Sequence, residues 1–357
     1  MPNVKRIGVL TGGGDSPGIN AALRAIVRRA AAAGLEVVGF RDGWKGVIED
    51  DVVPLGLADV SGILPVGGTI LGTSRTNPFI KEGKEWKPTP KVDRILETVK
   101  TRKVDALIPI GGDDTLGVAH RLASHGVRAV GIPQTIDNDV AGTDYCLGFH
   151  SALAVVTDAL DKLHTTAHAH HRVLIVEVMG RDSGWIALVG GIAGGADVIL
   201  VPEEPFSVHD VGKAIEHRLE SGRRFSIIVV AEGARPVELG GKPVAQEGRV
   251  DQFGHPQLGG VGYWLAGELE KKGLPLTPRV TVLAYLQRGG VATPFDRMLA
   301  TRFGAAAVEF VLAGKHDVMT GLRGHDVVAV PLAEVLAQSP KPVAREFLAL
   351  ARNIGVR

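Results

Sequence analysis

The chain has 357 residues, which is long for a single hydrophobic core and predicts two domains. Lys and Arg total 40 against 39 Asp and Glu, so no net field draws the chain to nucleic acid or to an anionic membrane. The single cysteine, Cys146, excludes an internal disulfide framework. No apolar run approaches the roughly 18 residues of a membrane span, and we expect a soluble, cytoplasmic protein without a membrane partner.

Apolar runs and helix-like runs alternate along the whole chain. Nearly every residue in the apolar runs is hydrophobic, which is typical of strands buried on both faces of a parallel sheet with helices on each side. These runs are residues 7–10, 37–40, 106–110, 129–132, 173–178, 198–201, 226–230 and 280–284. The sequence therefore predicts an α/β fold with mostly parallel sheets.

Three helices are predicted from apolar residues that recur at three- and four-residue spacing. The first covers residues 19–30 and follows Ser16-Pro17, which suit a helix cap and a first turn. The second runs from Ser183 to Ile192, and the third covers residues 301–312. Two polar stretches, residues 81–91 and 234–256, are expected to be long surface excursions.

The first predicted strand leads into a glycine-rich loop, residues 11–20 (TGGGDSPGIN). Glycines let backbone N–H groups approach a phosphate, and the N-terminus of the following helix adds a favourable dipole. The loop matches neither the Walker pattern nor the dinucleotide fingerprint. Because glycine-rich turns also occur for packing reasons, this loop alone indicates a phosphate site without naming the ligand.

A second glycine turn, Gly111-Gly112-Asp113-Asp114-Thr115, follows the strand at 106–110 and adds two carboxylates. Asp113 suits a Mg²⁺ ion that bridges phosphate oxygens, since Mg²⁺ usually takes one or two carboxylates and keeps phosphate and water as its other ligands. The alternative is a helix cap, because Asp and Thr are common where helices begin.

A third motif, residues 133–139 (PQTIDND), follows the strand at 129–132. On an extended segment Asp137 and Asp139 would point the same way. One carboxylate could then take a proton from an attacking hydroxyl while the other holds a metal or a water. A solvated Asp-Asn-Asp turn is the alternative. Taken together, the motifs predict phosphoryl transfer with a metal ion and a general base.

These motifs resemble those of the phosphofructokinase family, and the resemblance covers nearly the entire chain. It extends to five further segments, namely residues 67–75 (GGTILGTSR), 142–145 (GTDY), 178–181 (VMGR), 202–204 (PEE) and 287–290 (QRGG). We therefore expect two doubly wound Rossmann-like domains with the active site in the cleft between them. Residues 1–147 with about 289–340 would form the phosphoryl-donor domain, and residues 148–288 with about 341–357 the fructose 6-phosphate domain.

The resemblance also implies roles for the matching residues. Asp137 is similar to the general base that takes the proton from the 1-hydroxyl of fructose 6-phosphate as that oxygen attacks phosphorus. Arg181 matches an arginine that offsets charge developing in the transition state. The residues that resemble neighbours of the transferred phosphoryl group and its Mg²⁺ are Thr135, Asp139 and Asp113. Those that resemble contacts of the donor phosphates are Gly14, Arg75, Asp114, Thr115 and Gln134.

Other matches are similar to the sugar-phosphate contacts of the family. Arginine suits this role because its planar fork fits phosphate oxygens. Besides Thr135, Asp137 and Arg181, the contacts would be Met179, Gly180, Glu232, Tyr285 and Arg288, with Arg172 and Arg279 reaching in from a neighbouring subunit. The resemblance thus implies a homodimer or homotetramer with shared active sites.

Two positions bear on the phosphoryl donor, which is ATP or pyrophosphate in this family. Pyrophosphate users typically carry Asp where this chain has Asp114, and ATP users carry glycine. A carboxylate about 4 Å from a phosphate oxygen repels it by roughly 4 kcal/mol at an effective dielectric constant near 20. Gln134 stands where pyrophosphate users commonly have lysine, and the neutral hydrogen bond is worth about 1 kcal/mol less. The balance favours pyrophosphate, with an ATP-dependent phosphofructokinase as the alternative.

Several other residues have two possible interpretations. Trp44 lies where many ATP enzymes carry an aromatic residue beside adenine, and it either stacks on a base or belongs to the core. His164 and His168 have the spacing of two ligands on a helix, but no Cys or carboxylate completes the set, which favours a polar surface. Intact Asp137 and Arg181 argue against a non-catalytic regulatory subunit. A dinucleotide-binding dehydrogenase would explain only the first loop.

Overall fold

The computed structural model describes residues 4–83, 85–250, 256–274 and 276–356. The chain divides into two compact units. The first contains Met1–Ile136, Val140–Ser151 and Arg288–Pro340, and the second contains Asp137–Asp139, Ala152–Gln287 and Lys341–Arg357. Within the described ranges, no helix is both long enough and apolar enough to cross a membrane.

Strands and helices alternate through both units, as expected where buried apolar runs are separated by amphipathic ones. The strands in the described residues are β1 (Arg6–Thr11), β2 (Glu36–Phe40), β3 (Val52–Pro54), β4 (Phe79–Glu82), β5 (Glu85–Pro88), β6 (Ala106–Gly111), β7 (Val130–Pro133), β8 (Val173–Val178), β9 (Val198–Leu200), β10 (Ser226–Ala231), β11 (Ala245–Val250), β12 (Pro256–Leu258), β13 (Pro278–Val282), β14 (Val318–Arg323) and β15 (Asp326–Pro331). The helices are α1 (Ile19–Ala32), α2 (Trp44–Glu49), α3 (Pro90–Thr101), α4 (Asp113–Ala123), α5 (Phe149–His170), α6 (Trp185–Ala193), α7 (Val208–Glu220), α8 (Val261–Lys271), α9 (Pro294–Leu312), α10 (Leu332–Gln338) and α11 (Arg345–Asn353). Short 3₁₀ helices cover Val237–Leu239 and Ala284–Gln287.

The first unit is built on a sheet with the strand order β15-β14-β7-β6-β1-β2-β3. The five inner strands run parallel, whereas β3 and β15 pair antiparallel at the two edges. β1 pairs with β2 on one side and with β6 on the other. Because the winding of the chain reverses between β1 and β6, the loops that leave these two strands lie side by side at the carboxyl edge of the sheet.

Helices cover both faces of this sheet. On one face α1 and α9 bury Ile26 and Phe303 against the strands. On the other face α2, α3 and α4 bury Trp44, Ile95 and Leu122. Since both faces are covered, the inner strands carry apolar side chains in both directions, which explains their continuous hydrophobic runs.

The second unit has a four-stranded sheet with the order β13-β8-β10-β9, in which every pair is parallel. β8 and β10 are buried along their whole length. Glu177 in β8 is 3% exposed and accepts the N–H groups of Gly260 at 3.0 Å and Gly262 at 2.8 Å. Because a helix leaves its first N–H groups unpaired, this carboxylate stabilises the start of α8 and joins it to the sheet.

All eight predicted strands are confirmed to within two residues at each end, and so is the α/β class with mostly parallel sheets. The first two predicted helices are confirmed as α1 and α6. The third, α9, begins at Pro294 rather than at residue 301. Its start is fixed by Thr293, whose Oγ1 accepts the N–H of Asp296 at 3.3 Å, and by a proline that fits the first turn.

The prediction of a loop over residues 81–91 is wrong. β4 and β5 form an antiparallel hairpin there, with Phe79 opposite Pro88 and Lys81 opposite Trp86. All of β5 and most of β4 are exposed, so this hairpin lacks the buried apolar pattern that reveals the inner strands. Of the second excursion, residues 251–255 lie outside the described residues, and the rest contains a 3₁₀ helix and β11.

Candidate functional site

The carboxyl ends of β1 and β6 bring the two glycine motifs of the first unit together. The N–H of Gly12 donates to the carbonyl oxygen of Ile110 at 3.0 Å. A Cβ atom at Gly12 would lie 2.6 Å from Thr115 Oγ1, and one at Gly111 would lie 2.6 Å from the Gly12 carbonyl oxygen. The close approach of the two loops therefore requires residues without a side chain at this junction.

Directly after this junction, Asp113, Asp114 and Thr115 form the first turn of α4. Thr115 is buried, Asp114 is half-buried and Asp113 is exposed. The N–H groups at a helix N-terminus attract an anion, whereas an exposed carboxylate beside them suits a divalent cation. These two features fit a phosphate and its Mg²⁺ bound together.

Across the described ranges, no group of three or more His, Cys, Asp or Glu side chains is arranged to hold a metal ion by itself. His164 and His168 on α5 both lie edge-on to the ring of Phe225, and His164 Nε2 lies 2.8 Å from the carbonyl oxygen of Gly194. Their surroundings agree with a polar surface rather than a metal site.

Arg288 lies against the first loop of the same unit. Its Nη1 donates to the carbonyl oxygen of Asp15 at 3.2 Å, and a Cβ atom at Gly14 would lie 2.9 Å from its Cζ. Gly14 is half-buried, and Arg75 is exposed. The structure thus brings a predicted donor contact, Gly14, together with a predicted sugar-phosphate contact, Arg288.

Gln134 is only 2% exposed, and its Nε2 donates to Ser16 Oγ at 2.9 Å. Its Oε1 is buried without a hydrogen-bond partner among the described residues. The amide therefore joins the end of β7 to the first glycine-rich loop. Ser16 was expected to cap α1, but the helix begins after Gly18 with no side-chain cap, and Ser16 bonds to Gln134 instead.

Trp44 is 2% exposed, and its Nε1 donates to the carbonyl oxygen of Thr115 at 3.3 Å. A residue with so little exposed surface has no ring face left for a base to stack on. The core interpretation of Trp44 is therefore the one that the structure bears out.

The prediction of an extended segment at Asp137 and Asp139 is wrong. Ile136 and Asp137 form a turn, and Asn138 has a left-handed φ of 54°. Asn adopts this region at lower cost than most residues. Asn138 is fully buried, whereas both aspartates are half-buried, with the Oδ1 atom of Asp137 buried.

Two loops of the second unit meet at the carboxyl edge of its sheet. Met179, Gly180 and Arg181 follow β8, and Glu232 follows the neighbouring β10. The N–H of Gly233 donates to the carbonyl oxygen of Gly180 at 3.0 Å, which joins the loops. Arg181 and Glu232 are half-buried, and Gly180 has a φ of 130° that few other residues tolerate. A guanidinium and a carboxylate thus lie at the same sheet edge.

Three further predicted residues of this unit are exposed, and they lie at different edges of the sheet. Arg172 immediately precedes β8, and Arg279 lies at the start of β13 opposite Leu174. Both arginines are therefore at the amino edge of the sheet. The six residues of β8 span about 20 Å, so these arginines and Glu232 of one chain do not meet. Tyr285, 79% exposed, lies beyond the carboxyl end of β13.

Glycine turns at a helix N-terminus, with carboxylates beyond the carboxyl ends of parallel strands, are the parts with which α/β proteins bind and transfer phosphoryl groups. The fold and the first unit's site define this chain as a member of that class.

Comparison with known proteins makes the class specific. Residues 6–311 match the family model described as phosphofructokinase. The chain is 54% identical to the pyrophosphate–fructose 6-phosphate 1-phosphotransferase of Amycolatopsis methanolica, over 93% of this chain and 95% of that protein. It is 47% identical to the ATP-dependent 6-phosphofructokinase of Chloroflexus aurantiacus, over 99% of this chain and 97% of that one. This chain belongs to the phosphofructokinase family, as its motifs predict.

A solved structure agrees with this result. The crystal structure of Pichia pastoris phosphofructokinase in the T-state matches with a TM-score of 0.78 and 32% sequence identity, over 99% of this chain. The present chain spans 37% of the length of that chain.

Proposed function

We propose that this chain transfers a phosphoryl group from pyrophosphate to the 1-hydroxyl of fructose 6-phosphate, giving fructose 1,6-bisphosphate. Membership of the phosphofructokinase family supports the sugar chemistry. The 54% identity to a pyrophosphate-dependent relative is the observation that carries the donor assignment. The half-buried Asp114 in the first turn of α4 agrees with it. ATP is the second candidate donor because an ATP-dependent relative is 47% identical.

The donor phosphates would bind at the N-terminus of α4, where unpaired N–H groups attract an anion. Gly14, Arg75 and Thr115 would contact them, with Gln134 behind the first loop. Asp113 would hold Mg²⁺, which supplies positive charge across the phosphate oxygens when bound. The exposed position of Asp113 in the first turn of α4 supports this role.

In the chemical step, Asp137 takes the proton of the 1-hydroxyl as that oxygen forms its bond to phosphorus and the bond from phosphorus to the leaving phosphate breaks. Arg181 offsets the negative charge that develops on the transferring group. Thr135 and Asp139 orient the reacting groups. The half-buried position of Asp137 supports its role as base, since its carboxylate is partly shielded from water.

Fructose 6-phosphate would be held by Met179, Gly180, Glu232, Tyr285 and Arg288. We propose that Arg172 and Arg279 serve the site of a second copy, in a homodimer or homotetramer. Their place at the amino edge supports sharing, because Arg172 lies about 20 Å and Arg279 about 13 Å, measured along the strands, from the carboxyl ends that precede the loops of β8 and β10, and so neither lies beside Glu232 of its own unit. The near-neutral charge and the single, buried Cys146 support a cytoplasmic location.

The donor assignment is tested by turnover with fructose 6-phosphate, Mg²⁺ and either pyrophosphate or ATP. We expect a higher kcat/KM with pyrophosphate. Asp114→Gly should raise kcat/KM with ATP by about one to two decades, because the repulsion at a half-buried carboxylate is weaker than at a fully buried one. Asp114→Asn removes the charge but keeps the size of the side chain, so it separates the effect of charge from the effect of space. Faster wild-type turnover with ATP would contradict the donor, and turnover with neither would contradict the function.

The base is tested with Asp137→Asn, which should lower kcat by about 10²- to 10⁴-fold with little change in the KM for fructose 6-phosphate. Asp210→Asn, at an exposed position of α7, is the matched control and should leave kcat unchanged. Near-normal turnover of Asp137→Asn would remove Asp137 as the base.

Sharing of sites is tested by mixing inactive Asp137→Asn subunits with inactive Arg172→Ala subunits after dissociation and reassembly. A shared site predicts that mixed oligomers recover activity, because some sites then receive an intact base from one chain and an intact arginine from the other. No recovery in oligomers that demonstrably contain both chains would contradict sharing.

A further inference from the structure

Helix α4 carries an arginine that lies outside the motifs described so far. Arg121 is two helical turns beyond Asp114 on the same face, with Gly117 between them. A Cβ atom at Gly117 would lie 3.3 Å from both Nη1 and Nη2 of Arg121. The guanidinium therefore runs back along the helix, over a position without a side chain, in the direction of Asp114.

Aromatic rings of the β4–β5 hairpin hold the guanidinium in this place. The Cζ of Arg121 lies 4.0 Å from the centre of the Trp86 ring and 5.6 Å from that of Phe79. Its Nη1 is buried and has no hydrogen-bond partner among the described residues. A buried donor without a partner is costly, and the attraction of the cation to the ring faces offsets part of that cost.

The charge of Asp114 acts on this arginine. Burial lowers the pKa of the Arg121 guanidinium, and the Asp114 carboxylate opposes that shift. Arginine remains protonated in proteins, so the pair attract each other along the helix. Because the guanidinium lies over Gly117, it is about one helical turn from Asp114 rather than two.

We propose that Arg121 is a positioning residue for Asp114, kept in place by Phe79 and Trp86. By drawing the Asp114 carboxylate back along α4, it reduces the repulsion that an anionic phosphoryl donor meets at the N-terminus of the helix. This rests on the proposed function, because it takes Asp114 as part of the donor site. Donor affinity then depends on the packing of the hairpin against α4.

A double-mutant cycle of Arg121→Met and Asp114→Asn tests this proposal. The KM for pyrophosphate is measured at saturating fructose 6-phosphate and Mg²⁺. With Asp114 present, Arg121→Met should raise that KM by about three- to tenfold. With Asp114→Asn, the same substitution should change it by less than about twofold, because no carboxylate remains to be positioned. The KM for fructose 6-phosphate should stay constant in all four proteins.

Three outcomes of the cycle would overturn the proposal. An equal effect of Arg121→Met in both backgrounds would mean that the guanidinium acts on the donor directly. A parallel rise in the KM for fructose 6-phosphate would indicate a general structural defect. No effect of Arg121→Met would remove the residue from donor binding altogether.

A second variant guards against loss of folding. Gly117→Ala favours the helix, because alanine has the higher helix propensity, but its methyl group would lie 3.3 Å from Nη1 and Nη2 and shifts the guanidinium by a few tenths of an ångström. We expect the KM for pyrophosphate to rise while the melting temperature does not fall; an unchanged KM would count against the proposal. Arg94→Met on α3 is the matched control, since Arg94 is exposed and pairs with Glu97, and it should change neither KM.

Wild-type turnover is measured first, so that the two proposals can fail separately. If neither pyrophosphate nor ATP supports turnover, the proposed function fails. The Kd of Mg²⁺–pyrophosphate is then measured by calorimetry for the same four proteins, in place of the KM. If turnover is present but Arg121→Met acts independently of Asp114, only the role of Arg121 fails.

Discussion

The close contact of Gly12 and Thr115 gives a stability prediction that follows from the distances between them. Gly12→Ala would place a methyl group 2.6 Å from Thr115 Oγ1 and 3.1 Å from its Cγ2. Gly12 does not have a positive φ, so its backbone accepts alanine and the cost is steric. Thr115 is 4% exposed at the start of α4 and has little room to move. Overpacking of this kind costs about 1–3 kcal/mol of unfolding free energy, which lowers the melting temperature by roughly 2–10 °C.

The steric cause is tested by removing the partner. In Thr115→Ala the nearest remaining atom, Cβ, lies 3.5 Å from the new methyl group, an ordinary contact distance. Gly12→Ala should then cost less than about 0.5 kcal/mol in that background, as measured by denaturant unfolding of the four proteins. Gly267→Ala in α8 is the matched control, because no atom lies within 4 Å of its Cβ position, and it should stabilise the chain by about 0.5–1 kcal/mol. An equal cost of Gly12→Ala in both backgrounds would refute the reasoning.

Two further predictions concern buried ionisable groups. Burial lowers the pKa of His150, whose ring packs 3.9 Å from that of Phe295, so the unfolded chain takes up a proton more readily. The contribution of His150 to the free energy of unfolding should therefore be complete above pH 6.5 and should be lost as the pH falls through the lowered pKa. His150→Asn should remove this part of the decline, whereas His209→Asn, at an exposed position, should retain it. Glu177→Gln should cost about 1–3 kcal/mol, because the amide keeps one oxygen to accept an N–H group and its NH2 group cannot accept the other, and it should speed hydrogen exchange at the start of α8. Unchanged exchange there would contradict the capping role.

The inner strands could be predicted because burial on both faces leaves a continuous apolar run. Strands such as β5 and β15 were missed for the opposite reason. β5 is exposed along its length, and β15, at a sheet edge, is exposed at both ends and mostly only partly buried between them. Their pairing depends on a neighbouring strand rather than on their own composition, and hairpins such as β4–β5 gave no glycine–asparagine turn signal to reveal them.

The candidate site could be predicted in part because its glycines and carboxylates follow strands directly in the sequence. Contacts between distant segments could not, since the Gln134–Ser16 bond joins residues 118 apart and the Arg288–Asp15 bond joins residues 273 apart. The turn at Asn138 did have a local signal, because Asn favours left-handed backbone, and the Asp-Asn-Asp turn was the alternative to an extended segment.

The donor preference illustrates why single positions are weak predictors. In the sequence, Asp114 and Gln134 are two independent indications of the donor: Asp114 disfavours ATP, and Gln134 disfavours pyrophosphate. In the folded first unit, the Gln134 amide donates a hydrogen bond to Ser16. A glutamine at this position therefore helps to fix the shape of the glycine-rich loop, and its lack of charge is not evidence about the donor alone. On our proposal, the Asp114 carboxylate is also restrained, by Arg121. Its repulsion of an anion should then be smaller than the roughly 4 kcal/mol of an unrestrained charge at 4 Å. Asp114→Gly alone should therefore widen donor choice without reversing it, and a full change of donor should require substitutions at Arg121 or in the hairpin as well.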